Sequence, residues 1–385
     1  MSSRTGKFHI LARLLIVVLG TLAVGEWWGR EYFRRSVEQV KFSDSDLYYY
    51  YDRRGFRRHI PAKVGYERMW DGRGKARFRI NSWGFRGPEI GLKKGAKDFR
   101  ILFLGDSITL GMHLPEDQTF VFLAGRMMNH AGGWNYDVIN GGVSDVGLFE
   151  EKDSLEGNGL KIRPDLVVLC WYLNDARPPV GFPEEDVVYK NPIINWMNNA
   201  RFLQKSCLGG YLYARLRGYV VARNYRLMHA QNQHIGWNPE AGASGRWKTD
   251  ARAFADVVKA ARYDWGDAWN EKSLRGMVRK IQGLRDLAAS GGARFAVVMM
   301  PVKFQVYSDL PAAFTQKPQR ELVHLLKAAG IPVFDLIPAL KARRDEPLFL
   351  DWCHYTPRGS EVIARAITNF LLRSSLLMKR RGGSL

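Results

Sequence analysis

Cysteine is scarce in this chain, and its three copies, Cys170, Cys207 and Cys353, are too few for a disulfide framework. Cys170 falls in an apolar run and reads as an inert core residue. Zinc-type cysteine and histidine spacings are missing. So are an RNA-binding signature and any long basic run, which sets nucleic acid aside as a partner. That exclusion matters because acidic residues are in short supply: 38 Asp and Glu stand against 58 Lys and Arg, a formal charge of +20. The basic surplus is scattered, apart from Lys379-Arg380-Arg381 near the C-terminus, and reads as a solvated surface close to a membrane. No internal repeat or low-complexity tract is present, which excludes repeat arrays and disordered scaffolds. What is there is an ordinary globular composition, 46% hydrophobic and 25% charged over 385 residues, more than one domain usually needs.

The N-terminus reads as an address. Arg4, Lys7 and Arg13 precede the apolar run from Leu14 to Gly25, and Trp27-Trp28 follow at interfacial depth. Phe8 to Trp28 supplies the ~20 residues that a bilayer-spanning helix requires. A cleavable signal peptide also fits, with Ala23-Val24-Gly25 as its small-residue site, although the bulky Glu26-Trp27-Trp28 beyond it favours an uncleaved anchor. Both readings export the body of the chain. The expectation is a single pass of the cytoplasmic membrane with the body periplasmic or extracellular, or a secreted body if the signal is cut.

Residues 29–95 are rich in aromatics and arginine, lack a clear period, and read as a membrane-proximal segment. From residue 96 the pattern sharpens. Arg100–Leu104, Tyr136–Asn140, Asp165–Tyr172, Arg294–Met300 and Pro332–Leu336 read as strands. Gln118–Asn129, the stretch around Leu274, Met277, Ile281 and Leu284, Glu321–Ala329 and Pro357–Leu372 read as helices, with Gly330 a C-terminal cap and Pro357 a helix opener. Strands alternating with helices predict a mainly parallel sheet covered on both faces. Residues 180–272 interrupt this rhythm. There Leu208, Leu212, Leu216 and Val220 recur at helical spacing among Arg215, Arg217, Arg223 and Arg226. Such a helix fits an insertion packed on the core, a membrane-surface element, or a lid over a site.

Chemistry enters at two places. Gly105-Asp106-Ser107 follows the first strand, which delivers Ser107 to the strand's C-terminal edge where a helix begins. Serine is a poor nucleophile without a base in reach. His354 can be that base, and Asp351, three residues before it, can hold its ring in the right tautomer. Asn174 follows the third strand, so these residues gather at one sheet edge, where such folds bind ligands. Asp106 is expected to fix the turn by an Asx-type bond to backbone. Cys353, between Asp351 and His354, is a weaker nucleophile candidate with no separate base beside it. His113 is placed either at the pocket or on the surface.

Gly105-Asp106-Ser107-Ile108-Thr109 resembles the first block of the SGNH (GDSL) hydrolases. Asn140-Gly141-Gly142-Val143-Ser144-Asp145 resembles the second, Tyr172-Leu173-Asn174-Asp175 the third, and Asp351-Trp352-Cys353-His354 the last. The stretch from Arg79 to Gly87 is similar to the segment that precedes the catalytic domain in membrane-anchored bacterial members. The resemblance implies a flavodoxin-like three-layer α/β/α sandwich with a mainly parallel five-stranded sheet. That hydrolase domain would span 96–378 with its helical insertion at about 180–272, after an anchor or signal at 1–28 and before a basic tail at 379–385. It also implies a serine esterase with Ser107, His354 and Asp351 as triad. Asn174, the Ser107 N–H and a block-two N–H would be the oxyanion donors. Where the family has glycine for that last donor, this chain has Asp145. Either the register shifts so that Gly142 or Gly147 serves, or the Asp145 side chain turns away, or the activity is weakened or reassigned. The expected substrate is an O-acyl, chiefly O-acetyl, ester of envelope carbohydrate or another small ester, with no cofactor or metal. The rivals are an O-acyltransferase using the same residues and a non-catalytic glycan-binding protein.

Overall fold

In a computed structural model, described over residues 2–41, 46–52, 56–176, 191–200, 203, 206–230, 242–261 and 264–378, the first helix outruns the expected anchor. This helix, α1 (Ser2–Lys41), continues from the apolar run into charged chain without a break. Arg30, Arg34 and Arg35 meet Glu26, Glu31 and Glu38 three or four residues away, pairs that support a helix where apolar packing ends. Its stretch His9–Arg35 is long and apolar enough to cross a membrane.

The membrane-proximal segment that shows no period is two small antiparallel hairpins. One pairs β1 (Tyr49–Tyr51) with β2 (Arg57–His59), the other β3 (Val64–Arg68) with β4 (Lys75–Arg79). Strands of three to five residues are too short to write a readable alternation. Tyr48, Ala76, Phe78 and Ile80 form a small core that includes Leu110, the last residue of the helical turn that Ser107 opens, so this module closes on that turn.

The main sheet holds β5 (Asp98–Gly105), β6 (Asn135–Gly142), β7 (Leu166–Tyr172), β8 (Arg294–Met300) and β9 (Val333–Asp335), all parallel, in the order β6-β5-β7-β8-β9. Each lies where an apolar run was expected, with boundaries within two residues. Ile101 to Leu104 and Leu166 to Leu169 are wholly buried, as strands covered on both faces must be. After β5 come α2 (Ser107–Leu110) and α3 (Phe120–Ala131); α4 (Leu148–Ser154) follows β6. The insertion contributes α5 (Pro192–Asn199), α6 (Cys207–Ala230) and α7 (Ala251–Ala260). Then come α8 (Glu271–Ser290), α9 (Lys317–Ala328) and α10 (Pro357–Arg373). The chain steps from β5 outward to β6, then crosses back to β7, β8 and β9. Right-handed crossovers in the two directions put helices on opposite faces. This is the expected α/β/α sandwich. The reversal opens a crevice at the carboxyl ends of β5 and β7.

Of the insertion, α7 packs on the core through Phe254 and Val257, while Ile194 of α5 and Tyr213 of α6 form a separate cluster. Residues 177–190 and 231–241 of the insertion and the basic tail 379–385 lie outside the described residues.

Candidate active site

Gly105 ends β5 because nothing larger fits: a Cβ there would stand 2.1 Å from Thr109 Oγ1. Asp106 then caps α2, its Oδ1 accepting from the Ile108 N–H at 2.9 Å, the expected Asx-type role. Burial pushes its carboxyl up to about 7, against the pull of that bond. Ser107 opens the single turn of α2, which stops at Gly111 in the left-handed region (φ 74°). The end of this turn is held by Arg86, which lies in the Arg79 to Gly87 stretch and whose partners no local pattern announces. The Arg86 guanidinium is buried and donates to the carbonyls of Leu110 (2.6 Å), Gly111 (2.9 Å) and Leu114 (2.6 Å). It also lies 3.8 Å over the Phe78 ring.

His354 arrives on a loop shaped by Asp351. Asp351 Oδ1 accepts the backbone N–H groups of Cys353 and His354, each at 2.8 Å, and Leu350 N–H closes the loop on His354 O at 2.8 Å. Asp351 Oδ2 is then free to take His354 Nδ1 at 2.7 Å. That bond makes Nδ1 the protonated nitrogen and leaves the Nε2 lone pair to face Ser107 Oγ, 2.9 Å away. Burial opposes a charged imidazole, yet the Asp351 hydrogen bond and charge outweigh it and hold His354 above its ordinary value. Burial likewise works against the Asp351 carboxylate, and the His354 and backbone hydrogen bonds bring it down to about 2 all the same. Cys353 is buried with its thiol pushed well up, and its Sγ stands 3.6 Å from Nδ1, the nitrogen already bonded to Asp351. A neutral thiol on that side of the ring is no nucleophile. His113 comes to the site after all: its ring stands edge-on to His354 with centroids 5.8 Å apart, its Nδ1 donating to Arg68 O at 3.0 Å.

Three donors at the crevice make no hydrogen bond within the described residues: the N–H of Ser107, the N–H of Asp145 and the side-chain amide of Asn174. Asn174 sits in the turn after β7, and Asp175 Oδ2 tightens that turn by accepting the Tyr172 N–H at 3.1 Å. Asp145 adopts φ 59°, the left-handed conformation that a glycine takes readily and that Asp tolerates better than most residues. Its carboxylate is turned away, paired with Arg57 of β2, whose guanidinium lies 3.5 Å over the Tyr49 ring. Gly142 is not an alternative donor. Its N–H is committed to Asn140 Oδ1 at 3.0 Å, and a Cβ on it would meet Leu110 N at 2.1 Å, so its smallness serves the packing of α2 on β6. Gly147 N–H is bonded as well, to Glu150 Oε2 at 3.3 Å. Arg57 carried no sequence signal, since its partner is 88 positions away.

Residues 263–383 match a family model described as SGNH hydrolase-like domain, acetyltransferase AlgX. The matched stretch holds Asp351 and His354 but neither Ser107 nor Asn174. Among solved structures, the chain is similar to a member of the lipolytic protein G-D-S-L family from Veillonella parvula. Identity is 11% over 72% of this chain and 100% of that one, with a TM-score of 0.38. A lipase/acylhydrolase from Enterococcus faecalis is 15% identical over 71% and 95% of the two chains, TM-score 0.36. A mutant acetyl-xylooligosaccharide esterase from Geobacillus is 15% identical over 73% and 97%, TM-score 0.35. At such identities and scores the likenesses carry no argument about activity. No curated protein matches the chain in sequence.

Proposed function

We propose that this chain, a protein of the SGNH/GDSL hydrolase type, transfers O-acyl groups through an acyl-enzyme on Ser107, with acetyl esters of cell-envelope carbohydrate as its substrates. The observation that carries the reading is the run Ser107 Oγ, His354 Nε2, His354 Nδ1, Asp351 Oδ2, with links of 2.9 and 2.7 Å. Ser107 Oγ attacks the ester carbonyl while His354 Nε2 takes its proton. Charge that builds on the carbonyl oxygen is met by the Ser107 N–H, the Asn174 amide and the Asp145 N–H, a role supported by their lacking other hydrogen-bond partners among the described residues. His354 then returns the proton to the leaving alkoxide. A second hydroxyl, from water or from a sugar, repeats the sequence in reverse and frees Ser107.

Water as acceptor makes an esterase and a sugar hydroxyl makes an acyltransferase. The second deserves equal standing because the matching family model is described as an acetyltransferase. A purely glycan-binding role is disfavoured, since the pairing of Asp145 with Arg57 removes the charge that argued for it. The α1 helix, long and apolar enough to span a bilayer, supports residence at a membrane. The test is release of p-nitrophenol from p-nitrophenyl acetate by the full chain in detergent, with labelling by a serine-directed fluorophosphonate. Ser107→Ala should abolish labelling and lower turnover on the order of 10³-fold or more. Undiminished turnover in a folded Ser107→Ala variant refutes the reading. Acetyl appearing on an added oligosaccharide in place of free acetate selects the transferase.

A further inference from the structure

We propose that α5 and α6 form an interfacial membrane element, with α6 lying in the headgroup layer of the bilayer that α1 spans and an anionic lipid surface as its partner. The proposal rests on α1 as the anchor and goes beyond the catalytic reading. It starts from how α6 begins. Glu26, the first charge after the apolar run, accepts from Ser206 Oγ at 2.7 Å, Cys207 N at 2.9 Å and Leu208 N at 3.0 Å. A side chain of one helix thus caps the N-terminus of the other. Gly29 permits the approach, since a Cβ there would lie 2.9 Å from both Cys207 C and Leu208 N. Trp28, Tyr32 and Tyr211 close the joint, with ring centroids 5.6, 4.8 and 5.1 Å apart around the triangle.

Beyond that joint, Leu208, Leu212, Arg215, Tyr219 and Arg223 recur at steps of three and four and form one row along α6. Leu208 begins the row against Gly25 of α1. The remainder is open: Leu212 and Tyr219 are 51% and 59% exposed, and Arg215 and Arg223 are exposed too. The adjoining side is spoken for, with Tyr213, Leu216 and Val220 packed with Ile194 and Met197 of α5. Ile193 and Trp196 of α5 and Trp27 of α1 add to the exposed apolar surface. Cys207–Ala230 holds four arginines and no acidic residue. Leucine and tyrosine alternating with arginine in one row, continuous with a spanning helix, suit the acyl boundary and its phosphates together. A row that starts on the anchor also argues against α6 as a lid over Ser107.

The experiment places a nitroxide at Tyr219→Cys, and separately at Leu212→Cys, in the full chain with Cys207→Ser; Cys170 and Cys353 are buried. Power saturation is read with oxygen and with a water-soluble nickel chelate, in phosphatidylcholine vesicles with and without phosphatidylglycerol. Both labels should be rich in oxygen collisions and poor in nickel collisions, more so with phosphatidylglycerol. Glu26→Gln should raise nickel access at residue 219 while a label at Leu19→Cys stays in lipid. Nickel access at 212 and 219 equal to that of a label at the exposed Lys93→Cys overturns the proposal. Shielding from both reagents overturns it as well, because a second copy or another protein then covers the row. A water-exposed label at Leu19 refutes the anchor itself and leaves the catalytic reading untouched.

Discussion

Arg57 neutralises a carboxylate that stands next to a proposed oxyanion donor, and removing it should therefore reach the chemistry from outside the crevice. The Asp145 N–H would lie ~3 Å from the developing oxyanion, and the carboxylate of the same residue roughly 3 Å further on. Two unit charges ~6 Å apart repel by about 3 kcal/mol at an effective dielectric of 20. Asp145 is 50% exposed and partly screened, so about 1–2 kcal/mol is the expected cost, or ~5–30-fold in kcat. Arg57→Ala should lose that much on p-nitrophenyl acetate. Asp145→Gly alone should hold or raise the rate, since it keeps the N–H, restores an easy positive φ and removes the charge. In the double variant the Arg57→Ala loss should vanish, a coupling of the size of the single loss. Thermal denaturation of each variant separates this from unfolding, as Arg57 is itself buried. Equal losses for Arg57→Ala with and without Asp145, at unchanged stability, would refute the electrostatic argument. A large loss for Asp145→Gly would remove residue 145 from the donors.

Asn174→Ala should cost on the order of 10²-fold in kcat, the usual effect of one oxyanion donor, with KM little changed; an unchanged kcat strikes Asn174 from the list. Activity should climb with pH through an apparent pKa above the ordinary ~6.5 of histidine, because only neutral His354 accepts the Ser107 proton and Asp351 favours the charged form. Asp351→Asn removes the strongest opposition to burial and leaves only the weaker pulls of Asp106 and Asp264, so the rising limb should move to lower pH as the rate falls; a limb that stays in place shows that Asp351 does not tune the base. Asp351 also contributes stability that is present above its unfolded value of ~3.9 and lost as pH falls toward about 2, so an acid melt should find the Asn variant less pH-sensitive there. Arg86→Ala takes a donor from three carbonyls, of which Leu110 O keeps the Asn140 amide, Gly111 O keeps the Leu114 N–H and Leu114 O is left short, and it should destabilise by ~1–3 kcal/mol, with Arg86→Lys recovering only part, as read from urea denaturation.

The strands, the helices that cover them and the sheet edge that collects the chemistry are written locally. Ile101–Leu104 and Leu166–Leu169 are apolar without interruption because both faces of a central strand are buried, and that pattern needs no partner to be read. Ser107 after Gly105-Asp106, and Asp351 three residues before His354, are equally local, since turn and loop chemistry acts over a few residues. Residues 46–81 were illegible because their strands are too short to show a period, and α1 past residue 28 because its helix is sustained by ion pairs, not by an apolar face. Tertiary structure alone decided the rest. Whether Asp145 would face the oxyanion or leave it depended on Arg57, brought across 88 residues by the docking of β2. That Gly142 is spent on packing followed from the register of β6 against α2. The role of Arg86 waited on where Leu110, Gly111 and Leu114 would point their carbonyls, and that of α6 on Glu26, 181 positions before Cys207. Periodicity and turn preference are properties of neighbours along the chain, whereas an ion pair, a cap between helices or a blocked glycine exists only once distant segments have found their register.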